Sequence, residues 1–361
     1  MKIGLIGLNQ TGKTTLFNLL AGREEGSVAP GGKAAANVGT CTVPDERVDF
    51  LSGIYKPKKT TYAKIELIDV AGFTVSSDAH SSGASKFLGD VRPCDALVHV
   101  LRAFGSDSVL HDMGTIDPAR DFEAVEMEML FADLEMLEKR IGRIKTGKKI
   151  TKEHEAELAL LDRCFNWLEK GGALKDMEMS ADERAAVRSL GFLTEKPRLA
   201  VVNLDELQWG SKSWHNKEAL ESLCSSASVP ILELCVEAEL EISRLPAEEK
   251  EFFMEDMGIG ESGVAVLAKA LYGLLGLISF LTVGGDEVKA WTVERGTNAR
   301  ASAGKIHSDI ERGFIRAEVV KFGSIRELGS MARVKEKGLF RLEGKEYIVA
   351  DGDVILFRFN V

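Results

Sequence analysis

Gly7-Leu8-Asn9-Gln10-Thr11-Gly12-Lys13-Thr14 sets two glycines, an ammonium group and a hydroxyl at the spacing G-x-x-x-x-G-K-[ST]. Those residue types at that spacing can hold a polyphosphate. Gly7 and Gly12 let the backbone turn tightly and bring its N–H groups to phosphate oxygens. A helix starting at Lys13 adds the positive end of its dipole. Lys13 places a point charge on the β- and γ-phosphates, and the Thr14 hydroxyl can ligate Mg²⁺. The flanks suit the chemistry. Met1 to Ile6 is a short apolar run that reads as a buried strand, and Thr15 to Ala21 has apolar residues at helical spacing. Nucleotide contacts are expected from Asn9, Gln10, Thr11, Gly12, Lys13, Thr14 and Thr15. A chance glycine-rich turn is the plain alternative, and the strand and helix on either side argue against it.

Two further segments refine the site. Asp69-Val70-Ala71-Gly72 fits D-x-x-G at a strand end. Asp69 there can hold Mg²⁺ through water, and the Gly72 N–H can meet the γ-phosphate. Asn203-Leu204-Asp205-Glu206 follows another apolar run, where GTPases carry N-K-x-D. Leu204 replaces the lysine and Glu206 the aspartate. The longer carboxylate cannot pair with guanine in the same place, while Leu204 offers an apolar wall to a purine face. Asn203, Leu204 and Glu206 are therefore expected at the base, with ATP favoured and GTP left open. Phe73 stands where many GTPases have a water-orienting glutamine, and a phenyl ring cannot orient water. His80 and His111 are alternatives for that task, though a lone histidine is more often a packing residue. No residue is assigned a catalytic role.

These residues need a scaffold that brings strand ends together. Residues 64–70, 96–101, 197–203 and 230–235 read as strands, and 262–276 as a helix, which is the parallel-sheet pattern of an α/β fold. The pattern is interrupted. Residues 121–144 and 155–168 carry apolar positions at helical spacing around a charged turn, and Ser180 to Glu183 is a capping box. A helical hairpin is thus inserted between two halves of the α/β domain. After Ile278, residues 289–293, 314–320 and 354–359 are strand-like and separated by glycine-rich turns, a small α+β module. The expected domains are 1–120 with 196–277, the arm 121–195, and 278–361.

The chain has 361 residues and a formal charge of −10, which argues against general coating of nucleic acid or membrane but leaves room for a local basic patch. No apolar run approaches a membrane span; Lys269 and Tyr272 interrupt the longest, from Val264 to Phe280. The five cysteines show no metal spacing, and neither they nor the amino-terminal residues suggest secretion, so a cytoplasmic protein is expected.

At this point the chain resembles a known family, the YchF-type Obg-like ATPases. The resemblance rests on Asp69-Val70-Ala71-Gly72-Phe73, on Val43-Pro44-Asp45-Glu46-Arg47-Val48-Asp49, on Lys56-Pro57-Lys58-Lys59 and on Ile116-Asp117-Pro118-Ala119-Arg120-Asp121. It rests further on Asn203 and Glu206 as N-x-x-E. Its most specific part is carboxy-terminal, in residues 287–292, 304–309, 313–318 and 347–354. The resemblance implies a P-loop G domain with an inserted coiled-coil arm and a β-grasp (ubiquitin-like) TGS domain. It also implies ATP hydrolysis with Mg²⁺ and association with ribosomes. Two departures stand out. Where the family has a metal-binding threonine before N-V-G, this chain has Lys33-Ala34-Ala35-Ala36. Residues 76–85 replace the family's glycine-rich second switch. Nucleotide binding therefore carries over better than catalysis. The arm turn carries Arg140, Arg143, Lys145, Lys148, Lys149 and Lys152, which could meet ribosomal RNA phosphates or form a solvated hairpin.

Overall fold

The computed structural model describes residues 1–23, 37–70, 88–106, 109–147, 151–256 and 259–360. The chain divides into two compact units, Met1–Gly39 with Glu66–Gly263, and Thr40–Ile65 with Val264–Val361.

The first unit holds most of a sheet in the order β2-β4-β1-β5-β6-β7, with Thr40–Val43 of β2 and Ala63–Ile65 of β4 counted in the second unit. These strands are β1 (Lys2–Ile6), β2 (Asn37–Val43), β4 (Ala63–Asp69), β5 (Ala96–Arg102), β6 (Arg198–Asn203) and β7 (Ile231–Leu234). β1 pairs in parallel with β4 and β5, β5 with β6, and β6 with β7. Every residue of β5 and β6 is buried, as expected of parallel strands covered on both faces. This is the doubly wound arrangement in which ligands meet the carboxyl ends of the strands. The segment 7–14 follows β1, Asp69 ends β4 and Asn203 ends β6.

The helical insertion begins where Asp117 caps the helix Pro118–Lys145, accepting from the Ala119 and Arg120 N–H groups at 3.2 Å each, with Pro118 in its first turn. Thr151 and His154 form a capping box at the start of the helix Lys152–Glu169. Leu137, Leu161, Cys164, Leu168, Leu174 and Phe192 bury the seam between these elements. Asp133, fully buried, anchors the return to the sheet. It accepts from Leu193 N (3.1 Å), Thr194 N (2.9 Å), Thr194 Oγ1 (2.9 Å) and Arg92 Nη1 (2.7 Å).

The second unit holds a mixed sheet in the order β11-β10-β12-β8-β9-β3. Its strands are β3 (Lys59–Thr61), β8 (Leu277–Thr282), β9 (Glu287–Glu294), β10 (Phe314–Lys321), β11 (Arg341–Glu343) and β12 (Asp353–Phe359). β12 and β8 run parallel, and antiparallel partners β10 and β9 flank them. The helix Ala299–Ile306 buries Ala299 and Ala303 against Ile278, Phe280, Val319 and Phe357. This is the β-grasp layout expected of the carboxy-terminal module. Segment 40–65 belongs to this unit: β3 extends its sheet beside β9, and Phe50 meets Phe322 edge-on with centroids 5.6 Å apart. No helix among the described residues is long and apolar enough to cross a membrane.

Candidate functional site

The loop between β1 and the helix Lys13–Ala21 is shaped by two glycines that no other residue could replace. Gly7 has φ of +142°, and a Cβ there would sit 2.4 Å from the Val100 carbonyl oxygen of β5. Gly12 has φ of +92°, and its Cβ would meet Asn203 Nδ2 at 2.4 Å. Gln10 also takes a left-handed conformation, with φ of 60°. The loop is thus pressed against β5 and the end of β6 immediately before the helix Lys13–Ala21.

Asn203 holds this loop from the opposite side. Its Nδ2 donates to Thr11 O (3.1 Å), and its Oδ1 accepts from Val236 N (3.1 Å), at the start of the helix Val236–Arg244. One buried amide therefore ties the loop, the end of β6 and the segment after β7. Thr11 Oγ1 donates to Leu8 O (3.2 Å), and Lys13 Nζ donates to the same carbonyl. Burial pulls the Lys13 ammonium down to about 8 from 10.5, against the opposing pull of the Asp69 and Asp112 carboxylates.

Thr14 Oγ1 donates to Asp69 Oδ2 (3.1 Å), and Asn37 Nδ2 reaches the same oxygen at 3.4 Å. Burial pushes the Asp69 carboxyl above its usual range, and the Asn37, Thr14 and Lys13 contacts oppose this. Its other oxygen, Oδ1, is buried with no hydrogen-bond partner among the described residues. A hydroxyl and a carboxylate with an unused oxygen form a hard-oxygen donor set. No group of three or more His, Cys, Asp or Glu side chains assembles among the described residues. Two protein ligands suit Mg²⁺, which keeps several waters and takes phosphate oxygens for the rest.

A groove of about 220 Å³ runs from Gly12 and Thr15 past Phe104 to Asn203 and Asp205 on one side, and Val236 and Glu237 on the other. It has the position expected for a nucleoside, at the ends of β5 and β6. The base readings need correction in detail. Leu204 borders the groove, but its side chain is 1% exposed and lies in the core with Leu101, Phe122 and Leu220. Of the apolar residues lining the groove, Phe104 is partly exposed, while Val236, like Leu204, is buried. Glu206 is exposed in the first turn of the helix Glu206–Ser211, outside the groove lining, while its neighbour Asp205 caps that helix through Gln208 N (2.9 Å).

Gly72, Phe73, Lys33, His80, Lys148 and Lys149 lie outside the described residues. His111 is described and fully engaged. Its Nε2 lies 2.8 Å from Asp121 Oδ2, and its Nδ1 accepts from Met113 N (3.2 Å). That turn nevertheless reaches the phosphate loop, since Asn9 Nδ2 donates to Asp112 Oδ2 at 3.0 Å. Sequence reasoning passed over Asp112, Asn37 and Phe104. Asn37 was visible in N-V-G, but the other two sit in segments without a motif.

Residues 2–132 match the family described as 50S ribosome-binding GTPase. Residues 277–360 match the YchF-GTPase_C family, described as a protein of unknown function. The "Ribosome-binding ATPase YchF" of Bacillus subtilis (strain 168) is 40% identical over 362 residues, covering 99% of both chains. This chain belongs to the YchF family. The YchF relative of Escherichia coli O157:H7 is 37% identical over 363 residues, covering all of this chain and 99% of that one. The solved structure of the Schizosaccharomyces pombe YchF GTPase superposes with a TM-score of 0.86 at 26% identity, covering 99% of this chain and 97% of that one. The P-loop fold and the YchF carboxy-terminal domain thus stand on both sequence and structure.

Proposed function

We propose that this YchF-family protein binds and hydrolyses ATP with Mg²⁺ and acts as a nucleotide-dependent switch on the ribosome. The observation that carries this reading is the segment Gly7–Thr14 between β1 and its helix, in which Lys13 Nζ donates to Leu8 O and Thr14 Oγ1 donates to Asp69 Oδ2. Asn9, Gln10, Thr11, Gly12, Lys13, Thr14 and Thr15 would surround the phosphates, with Gly72 at the γ-phosphate. Thr14 and Asp69 would hold Mg²⁺, whose charge neutralises the phosphates when bound. Asn203, Leu204 and Glu206 are kept as the base segment, with Leu204 acting through its main chain and Phe104 as the apolar surface. Positioning and charge stabilisation dominate such chemistry. Ribosome contact is supported by the names of the relatives and by Arg143, Lys145 and Lys152, exposed near the turn of the arm. Arg140 contributes less, because Glu157 pairs with it at 2.7 Å. Residues 1–120 with 196–277, 121–195 and 278–361 remain the proposed functional division. A cytoplasmic location follows from the ribosome reading.

A second reading is a binding switch with negligible turnover. It is favoured by His111, whose ring nitrogens are both engaged; orienting water would require it to leave Asp121. Phosphate release from Mg·ATP, with and without ribosomes, separates the two. Hydrolysis that disappears in Lys13→Ala supports the enzyme, and release no faster than buffer under both conditions supports the silent switch. A hundredfold preference for GTP over ATP in competition would overturn the base reading.

A further inference from the structure

Arg102 is the last residue of β5 and is 1% exposed, a place where arginine is rarely found without a paired charge. Among the described residues its bonded partners are carbonyls. Its Nε donates to Phe104 O (3.2 Å), Nη2 to Val109 O (2.9 Å) and Nη1 to Leu110 O (3.4 Å). Its guanidinium carbon lies 4.5 Å from the centroid of the Phe104 ring, over its face. A buried charge with no carboxylate bonded to it is costly, and an apolar side chain would fill the space at lower cost. What the guanidinium adds is a rigid plane. It stacks on an aromatic face while its fork holds several carbonyls at once.

That plane acts on the wall of the nucleoside groove. Phe104 lines the groove and is partly exposed. The main chain around it is tied to the base segment. Ala103 N and Phe104 N donate to Asn203 O at 2.9 Å and 3.1 Å, and Gly105 N donates to Asp205 Oδ2 at 3.4 Å. Those bonds set the backbone but not the torsions of the ring. Stacking on Arg102 supplies that constraint, and the carbonyls of Val109 and Leu110 brace the guanidinium in turn. A ring held in one orientation before the ligand arrives costs less to order on binding.

We propose that Arg102 is a positioning residue of the base site: a buried guanidinium that fixes the Phe104 ring as the surface on which a purine stacks. This rests on the nucleotide reading above. It assigns to Arg102 a task that concerns the base and not the phosphates.

The test is titration of Mg·ATP and of Mg·tripolyphosphate, which has no base, into wild type, Arg102→Lys, Arg102→Met, Phe104→Leu and the double variant Arg102→Met with Phe104→Leu. Lysine keeps the charge and loses the plane; methionine keeps the length and loses both. Each Arg102 variant should weaken Mg·ATP about tenfold, the worth of one base stacked on an aromatic side chain, and leave Mg·tripolyphosphate within about twofold. With Phe104→Leu already in place, Arg102→Met should cost nothing further, because the two residues act as one unit. Equal weakening of both ligands, additive losses in the double variant, or failure of both Arg102 variants to fold would overturn the proposal. If wild type binds neither ligand, the nucleotide reading itself has failed. If wild type binds both and the Arg102 variants match it, the failure belongs to Arg102 alone.

Discussion

Asn203 makes the case that a motif residue can act as a structural tie. Its amide spans Thr11 O and Val236 N from a side chain that is 5% exposed. Asn203→Ala would leave a buried carbonyl and a buried N–H unpaired, costing about 1–3 kcal/mol. Thermal denaturation should show the loss, and nucleotide affinity should fall with it. Lys13 gives a pH dependence whose sign follows from its surroundings. Burial holds its ammonium at about 8 in the folded protein, and bound phosphates would raise it. Between those two values binding takes up a proton, so affinity falls as pH rises above about 8. Calorimetry at pH 8.5 in buffers of different ionisation enthalpy should report that uptake. Residue types and spacing singled out Lys13, Thr14 and Asp69, and the fold brings these three side chains together. Types and spacing could not say which way Leu204 points. The buried run of β6 continues through it, and the core takes its side chain.

The elements were legible where period and burial agree. The strands at 96–102 and 198–203, the long helix from Pro118 and the Ser180–Glu183 cap follow directly from apolar runs and capping residues. The missed elements are those whose signal is weak or comes from partners. β3 is three residues, Lys59-Thr60-Thr61, with no apolar content, and it exists because β9 supplies its ladder. β2 alternates correctly, but Thr40, Cys41 and Thr42 lower its apolar contrast. The return from the helical insertion depends on Asp133, whose four hydrogen bonds no local pattern announces. Asp133→Ala would remove the acceptor of two main-chain N–H groups and the Thr194 hydroxyl, and leave Arg92 only its bonds to the Ala132 and Gly191 carbonyls. The expected cost is about 3–5 kcal/mol, read as a lowered urea midpoint. Thr151→Ala removes one cap bond and should cost only about 1 kcal/mol.

At the scale of the whole molecule, family membership and fold agree from end to end, while the sequence-drawn boundaries do not coincide with the compact units. Segment 40–65 lies between two nucleotide-site segments in the chain yet packs with the carboxy-terminal sheet. Arg47 shows why. It pairs with Asp45 at 2.8 Å and with Asp351 at 2.8 Å, and Asp351 Oδ1 also accepts from Ser279 N at 2.9 Å. A contact across that much sequence leaves no trace in composition or period. The proposed ribosome contact predicts a charge effect separable from nucleotide binding. Replacing Arg143, Lys145 and Lys152 together by glutamine should weaken co-sedimentation with ribosomes severalfold at low salt and flatten its salt dependence. ATP affinity should not move, since none of the three lines the nucleotide groove.

The measurement that bears most directly on the account is calorimetric titration of Mg·ATP into the wild-type chain and into Lys13→Ala. The wild type should bind one equivalent, and Lys13→Ala should lose at least about tenfold in affinity, the worth of one charge-assisted contact. Equal affinity in the two proteins would mean that the loop Gly7–Thr14 is not where the nucleotide goes.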